Sequence, residues 1–130
     1  MLKHELFLNP KGFTLIEIIA VMVVLSVLAA VVIPRYVELE ENAVKKGIDT
    51  VISEINAREN LTWADCKIST SGFVSDAKIF KKIDFDLDPS YVWHSGDPSI
   101  TGGTISFKGE SFELSRGASS TLKAAAWKLR

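Results

Sequence analysis

From Phe13 to Ile33 the chain carries one charged side chain, Glu17, in a run that is otherwise apolar or small. At ~1.5 Å of rise per residue, a helix of this length crosses the ~30 Å hydrocarbon core of a bilayer. A helix is also the form in which such a stretch satisfies its own backbone where no water is present. The run therefore predicts a helix able to span a membrane. Glu17 needs a separate reason, because a carboxylate in an apolar environment calls for a cationic or hydrogen-bonding partner. If the chain is cut after Gly12, Phe13 gains a free α-amino group four positions before Glu17. On a helix those two positions share a face, so Glu17 can meet its own terminus or that of a neighbour.

The segment Gly12-Phe13-Thr14-Leu15-Ile16-Glu17, the apolar run behind it and Ile33-Pro34 together resemble the N-terminus of type IV pilins and of the pseudopilins of type II secretion systems. The resemblance covers about the first third of the chain, weakens towards Asn60 and carries no motif beyond. It implies that a prepilin peptidase/methyltransferase cleaves between Gly12 and Phe13 and N-methylates Phe13, and that Glu17 supports docking between subunits. Methylation leaves the amine charged, so the ion-pair argument survives it. Residues 1–12 then form a leader, with Lys3 and Lys11 holding it in the cytoplasm; Glu5 departs from a positively charged leader. The implied partners are copies of the chain and other pilins in a helical filament, the peptidase, an assembly ATPase and its inner-membrane platform. The implied location is the bacterial inner membrane for the precursor, then an extracellular pilus or a periplasmic pseudopilus.

Two other readings use the same residues. A secretory signal would also show a basic start and an apolar core, with Val27-Leu28-Ala29 before Ala30 as a cleavage site, but signal cores are shorter and avoid acidic groups. A plain single-pass anchor displaying a small binding domain leaves Gly12-Phe13 and Glu17 unexplained.

The expected fold is α+β and pilin-like, with a long N-terminal helix packed on a small antiparallel sheet. Residues 13–34 form the membrane or core helix, 35–60 its amphipathic continuation and 61–130 a β-rich globular part. Val37, Val44, Ile48, Val51, Ile52 and Ile55 recur at helical spacing, with charged residues between them. Pro34 is expected to kink or loosen the helix between the two stretches and to matter for assembly, and Gly47 is a second weak point. Tyr91-Val92-Trp93, Thr104–Phe107 and Ser111–Leu114 read as strands separated by the turn signals Gly96-Asp97-Pro98, Gly102-Gly103 and Lys108-Gly109. Asp76 to Ile83 reads as a short helix capped by Asp76, exposing Lys78, Lys81 and Lys82 and burying Ile79 and Phe80. Ser119 to Arg130 suits a helix or an edge strand, with helix ahead on propensity.

With 130 residues, a formal net charge of −1 and acids interspersed with bases, the chain allows one small core and shows no footprint for nucleic acid. The lone Cys66 excludes an intrachain disulfide, whereas many pilins close a C-terminal loop with one. That departure favours a pseudopilin or a minimal pilin, while Glu17 argues against the tip-initiating subunits of such systems. Asp84, Asp86 and Asp88 alternate and invite a calcium reading, which the resemblance to secretion pseudopilins also raises. However, Pro89 and Ser95 stand where a calcium loop needs Gly and Glu. Alternation alone predicts three solvated aspartates with Phe85 and Leu87 facing inward. No enzyme is expected: His4 leaves with the leader, and His94 with Asp97 or Cys66 lacks any framing motif. Trp63, Trp93 and Trp127 read as core or interface anchors.

Overall fold

The computed structural model describes residues 12–130. Its elements run α1 (Leu15–Ile68), α2 (Asp76–Phe80), β1 (Tyr91–Trp93), β2 (Gly102–Phe107), β3 (Glu110–Gly117) and β4 (Ala126–Leu129). The architecture is α+β and pilin-like: a long apolar N-terminal helix and a four-stranded antiparallel sheet in the order β1-β2-β3-β4. The chain divides into two units at Glu40/Glu41, and α1 contributes to both.

The described part of the first unit, residues 12–40, is α1 and the residues that open it. No side chain in the most apolar window of α1 is buried. Val21, Val24, Leu25, Leu28 and Val32 all stand about half exposed or more, an arrangement that lipid or other chains must cover. Pro34 sits inside α1 without ending it. One missing backbone donor is tolerated by a helix that continues for many turns on both sides.

In the second unit, residues 41–130, the apolar stripe of α1 meets the sheet. Val44, Ile48, Val51 and Ile55 are buried, and Ile48, Val51 and Ile55 pack with Ile105, Leu114 and Trp127. Phe85 joins this cluster and makes edge contacts with Trp93 and Trp127 at centroid distances of 6.2 and 5.7 Å. All three tryptophans therefore lie in or against apolar clusters, with Trp63 beside Cys66, Ile79 and Ile83. The β2–β3 hairpin closes through Lys108 and Gly109, both at positive φ, the geometry that a two-residue turn needs to match the strand twist.

Four expectations are corrected. The helix does not stop at Asn60 but continues through Leu61 to Ile68, because Trp63 and Cys66 extend the inward stripe. The tail is a strand, not a helix: β4 pairs with β3, and the Asn56 side chain bonds the backbone of Trp127 on the other edge, accepting from its N–H at 2.6 Å and donating to its carbonyl at 3.0 Å. Those pairings outweigh the helix propensity of the alanines. The cap of α2 is Ser75, whose Oγ accepts from Lys78 N at 3.3 Å. The helix itself ends at Phe80, short of Ile83.

Asp76 is used elsewhere, in a buried ionic cluster. Arg116 donates through Nη1 and Nη2 to the two Asp76 oxygens at 2.8 Å each, and through Nε and Nη2 to Glu59. Trp127 Nε1 adds 2.8 Å to Glu59 Oε1, and Ser119 N–H adds 2.9 Å to Asp76 Oδ1. Burial works against the Arg116 charge, but the hydrogen bonds to Asp76 and Glu59 outweigh it and raise the guanidinium pKa. Among the described residues no buried side-chain polar atom lacks a partner.

Candidate processing and assembly site

The helix that carries Glu17 begins with a reciprocal cap. Thr14 Oγ1 accepts from Glu17 N–H at 3.3 Å, while Glu17 Oε2 accepts from Thr14 N–H at 2.7 Å and from Thr14 Oγ1 at 2.9 Å. Thr14-Leu15-Ile16-Glu17 is thus a capping box, in which two otherwise unsatisfied donors at a helix start are bonded by side chains. The acidic group also favours the positive end of the helix dipole. This role was legible in the Thr-x-x-Glu spacing alone.

With residues 1–12 attached, the helix starts at Leu15 and Phe13 lies just ahead of it. Phe13 is 80 % exposed, and Gly12 has no heavy atom within 4 Å of where a Cβ would stand. The Gly12–Phe13 junction is exposed and lies outside regular secondary structure. Both recorded bonds to the Glu17 side chain go to one oxygen, Oε2. Further along, Ser26 Oγ donates to Met22 O at 2.7 Å, which satisfies that hydroxyl within the helix. The expectations on the leader, including Lys3, His4, Glu5 and Lys11, lie outside the described residues.

Asp84, Asp86 and Asp88 are exposed and Phe85 and Leu87 half-buried, the alternation predicted for an extended segment. Asp84 Oδ1 accepts from Asp86 N–H at 2.8 Å and Asp88 Oδ1 from Ser90 N–H at 2.9 Å; these turns occupy carboxylate oxygens locally. The Ser90 contacts hold the Asp88 carboxyl below its ordinary range. Among the described residues no three His, Cys, Asp or Glu side chains converge as metal ligands.

His94 does not meet Cys66, which is buried beside Ile79 and Ile83. Nor does its ring meet the Asp97 carboxylate, whose Oδ2 accepts from Thr104 N–H at 2.8 Å. Instead His94 Nε2 lies 2.8 Å from Ser106 Oγ and 3.3 Å from Ser111 Oγ on an exposed sheet face. The residues that the sequence did not single out are Glu59, Arg116 and Ser119, and Asp76, expected as a helix cap, instead binds Arg116. Glu59 could have been found, since it follows Ile55 by one helical turn on the buried stripe.

Comparison with known proteins matches the N-terminal segment and, more weakly, the rest of the chain. A family model described as the prokaryotic N-terminal methylation motif matches residues 8–33, a range that contains Gly12, Phe13 and Glu17. The chain is 26 % identical over 110 residues to the type IV narrow pilus major component PilA5 of Thermus thermophilus, covering 85 % of this chain and 90 % of that one. It is 39 % identical over 51 residues to the ComG operon protein 3 homolog of Bacillus licheniformis, covering 39 % of this chain and 53 % of that one. No solved structure matches the chain. The chain is homologous to these proteins and carries the N-terminal methylation motif, and the relationship supports a pilin-type structural subunit with an N-terminal helix of membrane-spanning composition.

Proposed function

We propose that this chain is the structural protomer of a type IV pilus-like filament, anchored in the inner membrane as a precursor and polymerised through its N-terminal helix. The observation that carries the reading is the start of α1: an open Gly12–Phe13 junction, then a Thr14–Glu17 cap, then an apolar helical stretch with no buried side chain. A prepilin peptidase hydrolyses the Gly12–Phe13 bond, and the released Phe13 amine is methylated and stays cationic. A cytoplasmic ATPase and its platform protein then move the subunit from bilayer to filament.

Leaving the bilayer exposes α1 to water, and each Val, Leu or Ile that is fully buried again gains about 1.5–3 kcal/mol. The apolar helices therefore bundle. Different faces meet in each contact, so the assembly is heterologous and grows as an open helix. Glu17 fixes the register: Oε2 is engaged by Thr14, and the carboxylate pairs with the Phe13 amine of a neighbouring subunit, since an unpaired charge in that bundle is costly. A secretion pseudopilin is the second reading, favoured by the single cysteine, and it uses the same processing and the same helix.

The test is N-terminal peptide mass on sheared extracellular material and on membranes. N-methyl-Phe13 in the sheared fraction is the expected result. The same terminus confined to membranes selects the pseudopilus, and a terminus at Met1 or Ala30 overturns the filament reading. Gly12→Asp is expected to leave the leader attached, and mature protein from that variant would exclude cleavage at this junction.

A further inference from the structure

We propose that residues 41–130 carry both halves of a head-to-tail contact between copies of this chain, an acid-rimmed apolar groove at one end of the unit and the Leu122 loop at the other. The inference deepens the filament reading and rests on it for the parallel order of the copies.

The groove lies between α1 and the β3–β4 edge of the sheet. Its floor is apolar, formed by Val44, Phe112 and Leu129, and Leu129 is 46 % exposed. Its rim carries Glu41, Asp49 and Glu110 against one cation, Lys45. Three carboxylates around an apolar floor suit an occupant that is an apolar side chain flanked by positive charge.

The chain presents such a group. Leu122 is 89 % exposed, Lys123 follows it, and Lys67 reaches the same loop by donating from Nζ to Thr121 O at 2.8 Å. A single exposed leucine is ordinary. This one is set on a fixed turn: Ser120 N–H donates to Lys123 O at 2.8 Å, Ser120 Oγ accepts from Leu122 and Lys123 N–H, and Trp63 Nε1 anchors Ser120 O at 2.8 Å. A preorganised loop loses little freedom on docking.

Placement completes the argument. Lys45 at the groove and Lys67 at the loop are ~30 Å apart along α1, at ~1.5 Å per residue. Copies stacked along that axis bring the Leu122 loop of one to the groove of the next, and the stack keeps one unused half at either end. Leu122 covers the floor, while Lys123 and Lys67 meet Glu41, Asp49 and Glu110.

The test is cysteine cross-linking of the full chain in cells, with Lys45→Cys and Thr121→Cys, which leaves the carboxylates and both loop lysines in place. Native Cys66 is buried, so the parent chain serves as the unlinked control. A short bis-maleimide is expected to give a ladder beyond dimer from the double variant, and dimers only when the two single variants are co-expressed. Leu122→Asp added to the double variant should abolish the ladder, and Lys123→Glu should weaken it, with recovery on Glu110→Lys. Filaments without a ladder overturn this contact and leave the filament reading standing. A ladder in membranes without filaments supports the contact and removes the filament reading. A product that stops at dimer overturns the head-to-tail order, and absence of both ladder and filaments overturns both.

Discussion

Glu59 and Arg116 are paired through two hydrogen bonds, and neither side chain has any solvent-accessible surface. The pair joins α1 to β3, Trp127 ties β4 to it, and Asp76 and Ser119 bring in α2 and the loop after β3. The C-terminal segment is thus held to α1 by ions and hydrogen bonds. Such a cluster is stable only as a whole, because removing one member leaves a charge buried without its counterpart.

The first expectation concerns that dependence. Arg116→Met leaves Glu59 buried beside Trp127 with no cation and should cost about 3–5 kcal/mol. Arg116→Met with Glu59→Leu removes the fully buried pair and should recover part of the loss, the remainder reflecting Asp76 left without its cation and Trp127 Nε1 without its acceptor. Denaturant unfolding of the full chain in detergent, followed by tryptophan fluorescence, measures both. Equal losses in the single and double variants would show that the charge pair is not the cause.

Acid should weaken the same cluster. Hydrogen bonds from Arg116 hold the Asp76 carboxyl down to about 2 from an ordinary 3.8; Ser119 adds to the effect and partial burial opposes it. A folded pKa below the unfolded one stabilises fully above the unfolded value and is lost as pH falls through the folded value. Stability should therefore decline from about pH 4 to about pH 2. Asp76→Asn should flatten that window and lower stability at neutral pH, and parallel acid profiles for the two chains would exclude Asp76 as the titrating group.

Much of this fold is legible in the chain because the relevant forces are local or periodic. The apolar stripe Val44, Ile48, Val51, Ile55 announces the buried face of α1, and Lys108-Gly109 announces the hairpin by its need for positive φ. The Asp84–Asp88 alternation likewise predicts its own exposure. The ionic cluster is different in kind. Glu59, Asp76 and Arg116 are ordinary surface types, and only the approach of three distant elements makes their burial favourable. The tail fails for a related reason: Ala126–Leu129 is a strand because β3 and Asn56 offer its backbone partners, and those partners are not encoded within it. At the start of α1 the Thr14-x-x-Glu17 spacing encodes a reciprocal cap, a shorter-range role for Glu17 than an ion pair with an amine.

Gly47 should prove harder to replace than its helical position implies. Alanine is better than glycine in a helix by about 1 kcal/mol. Here, however, an added Cβ would stand 2.8 Å from Phe107 Cζ. That ring is stacked on Tyr91 at 4.5 Å between centroids, and Tyr91 Oη donates to Gly47 O at 2.9 Å. Displacing the stacked pair costs about 1–3 kcal/mol, as overpacking generally does, so Gly47→Ala should be net destabilising. Gly47→Ala with Phe107→Leu should regain stability relative to Gly47→Ala alone. A rise in melting temperature for Gly47→Ala itself would mean that the ring yields freely.

The two roles of Glu17 can be separated through Thr14. Thr14→Val removes the hydroxyl that bonds Glu17 in both directions but leaves the carboxylate and the Thr14 position's backbone N–H in place. Glu17→Val removes the carboxylate altogether. If Glu17 acts between subunits by meeting a Phe13 amine, Thr14→Val should retain most filament yield and Glu17→Val should lose it, while both chains still insert and are processed. Quantifying sheared filaments against mature protein in membranes reads the difference directly. Equal losses in the two variants would assign Glu17 to the start of its own helix, and the register of the filament would then have to come from contacts elsewhere on the subunit.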